Sequence, residues 1–286
     1  MRSRPPIKML SQLMVQQPQL IWLLIRNLLH KHLTVEYDYL FGNGRSRNPR
    51  QISLKITNQC NLRCEMCAQW GMSGYNLDRT KDDLDETVPL EAYQRMADEV
   101  AGNKPIFYIW GGEPFLYPDL MPLMAYLKEK RLTTTVVTNG ISLKKHAPQL
   151  VAMGLDGLMV SIDGPEQTHD RIRGWDRCYS HLMEGLAQVR EERQKARSIL
   201  PYIAVLITIS RHNMGQLVET FEAAEEAGAD AVICYYSWFT NPEIGGQHVT
   251  IMREHFNVTP SAWEGYVLPY GEIDGELVAR QVEQVR

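Results

Sequence analysis

Short runs of β-branched and aromatic residues alternate with helical patterns along the middle of the chain, and this alternation constrains the fold more than any other feature. Strands are predicted at residues 52–56, 106–110, 133–138, 157–162, 203–209 and 231–236. Helices are predicted between them, at residues 90–100, 119–130, 143–153, 179–195 and 214–227. Strands separated by helices pair in parallel through right-handed crossovers. Six such units predict an α/β fold, a partial (β/α)6 TIM-like barrel open on one side, with a doubly wound sheet as the alternative topology.

Three of the five cysteines lie within eight residues, directly after the first predicted strand. Cys60, Cys64 and Cys67 have the spacing C-x3-C-x2-C. Three thiolates on one loop can hold three irons of a four-iron, four-sulfur cluster, which normally takes four cysteine ligands. The fourth iron is then open to another ligand, as a catalytic site requires. The alternative is a zinc site completed by His30 or His32, but zinc sites usually combine two ligand pairs and this chain has no second pair.

The turn after the second predicted strand has the sequence Gly111-Gly112-Glu113-Pro114. Glycines let the backbone approach a ligand closely. The Glu113 carboxylate and nearby carbonyl groups can accept hydrogen bonds from an ammonium group. Gly-Gly and Glu-Pro pairs also occur in ordinary turns, so the position of this turn carries the argument. It follows the cysteine loop by one strand, at the strand end where barrel enzymes collect their chemistry.

Together, the cysteine triplet and this turn resemble those of the radical S-adenosylmethionine (SAM) superfamily, over roughly residues 50–240. The resemblance implies the open barrel, one 4Fe–4S cluster on the cysteine triplet, and SAM bound at the open iron. It implies an electron donor such as flavodoxin or ferredoxin, and cleavage of SAM to a 5′-deoxyadenosyl radical that abstracts hydrogen from a substrate. Gly111, Gly112 and Glu113 are then expected to hold the ammonium group of SAM.

Two further strand ends resemble cofactor-binding segments of this family. Thr138 and Asn139 belong to a Thr-Asn-Gly turn, and Ser161 and Asp163 belong to a Ser-x-Asp-Gly segment. By that resemblance these four residues contact the ribose or methionine part of SAM. Asn and Asp before glycine also form turns without any ligand, so a purely structural role is the alternative for Asn139 and Asp163.

Residues 169–173 resemble the HDxxR segment of the peptide-maturing and sulfatase-maturing (SPASM-type) members of the family. Arg171 is assigned to the cofactor site and Arg173 is the other candidate, because an arginine can pair bidentately with a carboxylate. A surface salt bridge is the alternative for each.

The resemblance points to a peptide or protein side chain as the substrate. The alternatives are a lipid-linked or sugar-derived metabolite and, as a different class of function, a non-catalytic iron–sulfur or zinc module that cleaves no SAM.

The composition limits the binding partners and the cellular compartment that can be expected for this protein. The net charge of −4 and the isoelectric point near 6.1 argue against bulk binding of nucleic acid. A cluster and free thiols need a reducing compartment, so the cytoplasm is predicted. Cys178 and Cys234 are predicted to be buried free thiols. They are too few for the auxiliary clusters that SPASM-type relatives carry in a C-terminal extension.

The chain is predicted to divide into an N-terminal helical extension, a barrel core and a C-terminal extension, at residues 1–49, 50–240 and 241–286. The helical pattern around Leu277 is expected to continue to Arg286 without a stop signal. This pattern suggests that the C-terminal extension is truncated.

An apolar stripe at helical spacing lies in residues 19–33. It is much shorter than the roughly 20 apolar residues that a membrane-spanning helix needs. We therefore predict a helix that packs on the barrel and buries Trp22 and Leu28. The alternative is a basic amphipathic helix that lies on a membrane surface.

Overall fold

The computed structural model describes residues 25, 29, 35–43, 49–267 and 273–285. A six-stranded sheet forms its centre, and every pair of neighbouring strands is parallel. The strands are β1 (Gln51–Lys55), β2 (Ile106–Trp110), β3 (Thr134–Thr138), β4 (Gly157–Ser161), β5 (Tyr202–Ile209) and β6 (Ala231–Tyr236). Their spatial order is the order of the sequence, β1 to β6.

The strand order decides between the two predicted topologies. A doubly wound sheet reverses its strand order at a switch point, whereas this sheet runs in one direction with β1 and β6 at its edges. The partial (β/α)6 TIM-like barrel is therefore confirmed and the doubly wound alternative is wrong. All six carboxyl strand ends meet at the same edge, which brings the loops after β1, β2, β3 and β4 together.

Helices connect the successive strands, and further helices lie before β1 and after β6. They are α1 (Val35–Phe41), α2 (Lys81–Asp85), α3 (Leu90–Val100), α4 (Leu120–Glu129), α5 (Leu143–Ala152), α6 (Glu166–Arg173), α7 (Cys178–Lys195), α8 (Leu217–Glu226), α9 (Pro242–Phe256) and α10 (Gly275–Gln284). Alternate strand residues face these helices and form the core, among them Leu54, Phe107, Ile109, Val136, Leu158, Val160, Ile203, Val205 and Ile207. The residues between them face the interior of the barrel.

Helix α6 was not predicted, because its buried side is polar. The side chains of Thr168, His169, Asp170 and Arg173 are buried with only one aliphatic residue, Ile172. Hydrophobic periodicity is the main sign of a helix in a sequence, and here a polar cluster replaces the apolar stripe. This cluster lies under the cysteine loop.

The C-terminal segment contributes to the barrel. Helix α10 spans Gly275–Gln284, and Arg286, to which the helix is predicted to continue, lies outside the described residues. Val278 lies in the hydrophobic core, and the Gln281 side chain accepts hydrogen bonds from the backbone N–H groups of Leu217 and Val218 at the start of α8. The last described helix therefore packs as part of the core domain.

The prediction of two buried cysteines is half right. Cys178 is buried, but Cys234 is exposed. Cys234 lies on β6, where most side chains are exposed because this strand is the last of an open sheet. An apolar sequence that reads as a buried strand therefore forms an exposed edge.

The predicted N-terminal packing stays a prediction. Trp22 and Leu28 lie outside the described residues. Ile25 and Leu29, from the same stretch, are 44% and 52% exposed. Among the helices that the structure describes, none combines the length and the apolar character needed to cross a membrane.

Candidate functional site

The cysteine triplet lies on the loop that follows β1. A hydrogen bond from the Cys67 N–H to the Cys64 carbonyl oxygen, at 3.0 Å, turns the backbone between these two residues. The Glu65 N–H donates to the carbonyl oxygen of Ile172 in α6, at 2.9 Å. Cys60, Cys64 and Cys67 are partly buried free thiols. The loop is thus tied to α6 and presents three thiols at the carboxyl end of the sheet.

Burial favours the protonated form of two of these thiols, those of Cys60 and Cys64. It raises the pKa of Cys60 to about 12 and also raises the pKa of Cys64. Metal binding must therefore release protons. Over the residues that the structure describes, no three His, Cys, Asp or Glu side chains converge on a point that could hold one metal ion. A four-iron cluster makes a different demand, because each thiolate binds a different iron around a larger body.

Arg63 braces the cysteine loop from the outside. Its Nη1 donates to the carbonyl oxygens of Cys60 and Leu62, at 2.9 and 2.8 Å. Its guanidinium lies 4.0 Å from the ring centroid of Trp70, and the Trp70 Nε1 donates to the Asn58 carbonyl oxygen at 3.0 Å. Trp70 is buried, and its role is to fix the base of this loop.

The glycine pair after β2 is needed because the turn packs directly on the cysteine loop. The Gly112 N–H donates to the Thr57 carbonyl oxygen at 2.8 Å, and the next N–H, of Glu113, donates to the Gln59 carbonyl oxygen at 2.7 Å. A Cβ on Gly111 would lie 2.7 Å from the Thr57 carbonyl oxygen, and one on Gly112 would lie 2.0 Å from that of Gln59. The sequence suggested an approach to a ligand; in the structure the approach is to the chain's own backbone.

Glu113 joins two strand ends through a buried carboxylate that is 2% exposed. Its Oε1 accepts hydrogen bonds from the Phe115 N–H and the Thr138 hydroxyl, at 3.1 and 2.8 Å. Its Oε2 accepts from the Asn139 N–H at 2.8 Å. Burial raises the pKa of Glu113, and these hydrogen bonds oppose that rise. The Asn139 side chain extends the network by donating to Asn61 in the cysteine loop, at 2.8 Å.

Asn139 also forms its own turn. Its Oδ1 accepts from the Ile141 N–H at 3.0 Å, and Gly140 follows with a φ of 82°. The turn role and the network role therefore coexist in one residue.

Ser161 is the last residue of β4 and is partly exposed, while its neighbour Val160 lies in the core. By strand alternation, Ser161 faces the interior of the barrel.

Asp163 pairs with the chain's own arginine beneath the cysteine loop. Its Oδ2 forms an ion pair with Arg173 Nη2, and its Oδ1 accepts from the Thr208 N–H at 3.0 Å. The Asn213 side chain donates to the Asp163 carbonyl oxygen at 2.9 Å. Arg173 Nη1 lies 3.7 Å from the Cys64 sulfur. Burial disfavours the charge of Arg173, but the Asp163 carboxylate raises the pKa of Arg173 above its ordinary value.

The structure separates Arg171 from Arg173. Residues two positions apart in sequence are separated by about 200° around the axis of an α-helix. The side chains of Arg171 and Arg173 therefore point in nearly opposite directions from α6. Arg171 is exposed and donates to the His212 carbonyl oxygen at 3.2 Å, while the His212 ring contacts Glu65 of the cysteine loop at 3.1 Å. The buried position beside the cysteines belongs to Arg173.

The residues around the loop fit a cluster and a polar cofactor. Gln69 donates from Nε2 to the Gly111 carbonyl oxygen at 2.9 Å, and its Oε1 is buried without a hydrogen-bond partner in the described structure. The Asn76 Oδ1 is also buried without a hydrogen-bond partner in the described structure. Both oxygens are acceptors that a bound ammonium or hydroxyl group could satisfy. A cavity of about 430 Å³ adjoins the loop, lined by Gln59, Cys60, Asn61, Arg63, Trp70, Lys81, Leu84, Asp85 and Leu116.

A second group of polar and aromatic residues lies beside the loop and was not predicted. Lys55 Nζ donates to the Asn58 side chain and to the Tyr75 hydroxyl, at 2.6 and 3.1 Å. The rings of Tyr75 and Tyr266 are 6.4 Å apart, and those of Tyr266 and Trp238 are also 6.4 Å apart. The half-buried Lys55 ammonium makes no ion pair with a carboxylate of the described residues. Only the alternation of β1, which turns Lys55 away from the core, could have pointed to it.

Comparison with known proteins identifies the family. A model of the radical SAM superfamily matches residues 54–224. The AdoMet-dependent heme synthase of Methanosarcina barkeri is 31% identical over 219 residues, which are 76% of this chain and 56% of that protein. The PqqA peptide cyclase of Ruegeria pomeroyi is 29% identical over 199 residues, which are 67% of this chain and 49% of that protein. The chain spans about half the length of the curated relatives it matches.

Solved structures show the same fold. Streptococcus suis SuiB bound to the precursor peptide SuiA matches with a TM-score of 0.61 at 16% identity, over 86% of this chain and 47% of that chain. At such low identity the likeness supports the TIM-like barrel and nothing finer. The family match covers more than half of the chain and contains the cysteine triplet and the strand ends described above. This chain therefore belongs to the radical SAM superfamily, and it is an enzyme that uses a 4Fe–4S cluster and SAM.

Proposed function

We propose that Cys60, Cys64 and Cys67 hold three irons of the cluster and that SAM binds at the fourth. The observation that carries this proposal is the buried Glu113 carboxylate, because its hydrogen bonds connect the end of β2 to the end of β3 and, through Asn139, to the cysteine loop. When bound, the cluster and SAM supply one-electron chemistry that yields a 5′-deoxyadenosyl radical able to abstract hydrogen from a substrate carbon.

The protein's own residues position these groups. Glu113 uses its carboxylate oxygens to hold the turns after β2 and β3, so in this proposal the ammonium group of SAM binds at backbone carbonyls of the Gly111–Gly112 turn and at the Gln69 Oε1. Ser161 faces the barrel interior, where a hydroxyl can contact the ribose or carboxylate. Arg171 has no place in this proposal, because its side chain is on the exposed side of α6. A small one-electron donor protein such as flavodoxin or ferredoxin is the proposed reductant.

Replacing any cysteine of the triplet by alanine is expected to abolish cluster binding, because a thiolate ligand to one iron is lost. The measurement is the iron and sulfide content of chemically reconstituted protein, with its visible absorption. Cys234→Ala is the matched control, since that thiol is exposed on β6 far along the chain. Equal iron and sulfide in Cys64→Ala and Cys234→Ala would contradict the assignment.

The first proposed substrate is a peptide or protein side chain. Its support is the similarity to PqqA peptide cyclase and the HDxxR-like segment, which forms the polar helix α6. The proposed site of reaction is the barrel interior beside the cysteine loop. A lipid-linked or sugar-derived substrate stays an untested alternative, since no described residue favours it.

A carboxylate-bearing tetrapyrrole is the second candidate substrate, and a specific group of residues favours it. The rings of Tyr75, Tyr266 and Trp238 follow one another at 6.4 Å, and the Lys55 ammonium lies at one end, 5.0 Å from the Tyr75 ring centroid. Burial lowers the pKa of Lys55. A cation beside a row of aromatic rings suits a flat ligand with carboxylate groups. The heme synthase similarity agrees with this chemistry.

Coproporphyrin III and its tetramethyl ester distinguish the two substrates. If the tetrapyrrole proposal holds, the free acid binds more tightly than the ester, and Lys55→Met weakens binding of the acid by about 10-fold or more, the value of one charge-assisted hydrogen bond. Absorption titration of the porphyrin measures both affinities. Lys145→Met, an exposed change on α5, serves as the control. Equal binding of acid and ester would leave the peptide as the only proposed substrate.

A further inference from the structure

Arg173 places a permanent positive charge against one of the proposed cluster ligands. Its Nη1 lies 3.7 Å from the Cys64 sulfur, within reach of an N–H···S hydrogen bond. Its Nη2 forms an ion pair with the Asp163 carboxylate. Arginine does not lose its proton in proteins, so this charge is present at every working pH.

Asp163 carries the carboxylate in direct contact with Arg173, and the buried Glu113 carboxylate also interacts with Arg173 electrostatically. The Asp163 side chain is fully buried, and its second oxygen already accepts from the Thr208 N–H at 3.0 Å. The neighbouring His169 ring is buried and accepts the Asp163 N–H at its Nδ1. The Arg173 Nε is buried without a hydrogen-bond partner in the described structure. The guanidinium is therefore held between one carboxylate and one cysteine sulfur.

We propose that Arg173 raises the reduction potential of the cluster by acting through Cys64, and that Asp163 moderates this effect. The proposal rests on the proposed cluster ligation. Reduction adds one electron, so a positive charge and a hydrogen bond at a ligand sulfur stabilise the reduced state. A buried charge acts more strongly than an exposed one, because the surrounding dielectric is low. The Asp163 carboxylate opposes the reduction, but the guanidinium is the group in contact with the Cys64 sulfur.

The two charges predict shifts of opposite sign. In Arg173→Gln the potential is expected to become more negative, whereas in Asp163→Asn it becomes more positive. Arg173→Lys keeps the charge and is expected to stay closer to the wild-type potential than Arg173→Gln. Arg177→Gln, which removes an exposed arginine near the same helix, is the control and should leave the potential unchanged. A residue that only supported the fold would not produce shifts of opposite sign.

The experiment is a dithionite titration of the reconstituted full chain, followed by electron paramagnetic resonance of the reduced cluster. An unchanged potential in Arg173→Gln, or shifts of the same sign in Arg173→Gln and Asp163→Asn, would overturn the proposal. If a single variant fails to fold, the double variant Arg173→Gln/Asp163→Asn keeps a neutral pair. Its potential should be more negative than that of the wild type, because the lost arginine is the nearer charge; an unchanged value overturns the proposal. A wild-type chain that binds no cluster would overturn the ligand assignment instead.

Discussion

Gly112→Ala is expected to destabilise the protein by at least about 3 kcal/mol and to prevent cluster binding. The new Cβ would lie 2.0 Å from the Gln59 carbonyl oxygen and 2.9 Å from that of Asn58. Both neighbours are backbone atoms, so no side-chain rotation can relieve the contact. The turn must move away from the cysteine loop and lose its hydrogen bond to Thr57. Urea unfolding of the metal-free chain measures the loss of stability.

Gly102→Ala is the matched control, because a Cβ there meets nothing within 4 Å. Its effect on the free energy of unfolding is expected to stay within about 0.5 kcal/mol. If Gly112→Ala unfolded at the same urea concentration as this control, the close packing of the turn on the cysteine loop would be wrong.

Glu113→Ala is expected to cost about 3 kcal/mol or more and to abolish SAM binding. It leaves the Thr138 hydroxyl and the N–H groups of Asn139 and Phe115 without their acceptor. A buried donor without a partner costs about 1–3 kcal/mol. The three losses share one network and do not add independently. Urea unfolding measures the stability, and the change of the reduced cluster's paramagnetic spectrum on adding SAM measures binding.

The control for this change is Glu222→Ala, which removes an exposed carboxylate from α8 and should alter neither quantity. Glu113→Gln keeps the shape but turns one acceptor oxygen into a donor, so it should lie between the wild type and Glu113→Ala. Wild-type stability and SAM binding in Glu113→Ala would show that the buried carboxylate does not organise the site.

The barrel and its strand ends could be predicted because each depends on local pattern. Strand and helix periodicity gave the α/β order, and turn residues marked where each strand ends. The cysteine spacing and the Gly111–Glu113 turn are adjacent in space because parallel strands bring their carboxyl ends to one edge. These relations follow from topology alone.

The features that could not be predicted depend on tertiary contacts, which leave no local pattern in the sequence. Helix α6 buries polar residues, so apolar periodicity could not show it. The choice between Arg171 and Arg173 depends on how that helix is rotated about its axis, and the sequence pattern does not show this rotation. The exposure of Cys234 follows from the open edge of the sheet. The position of the Gln69 acceptor oxygen is fixed by the hydrogen bond from the same side chain to the Gly111 carbonyl oxygen, forty-two positions away in sequence.

We propose that this chain cleaves SAM reductively at the cysteine triplet, and one anaerobic assay tests this proposal directly. Reconstituted, dithionite-reduced protein is incubated with SAM, and 5′-deoxyadenosine is quantified for the wild type and for Cys64→Ala. We expect 5′-deoxyadenosine from the wild type and only background from Cys64→Ala. Equal amounts from the two proteins would contradict it.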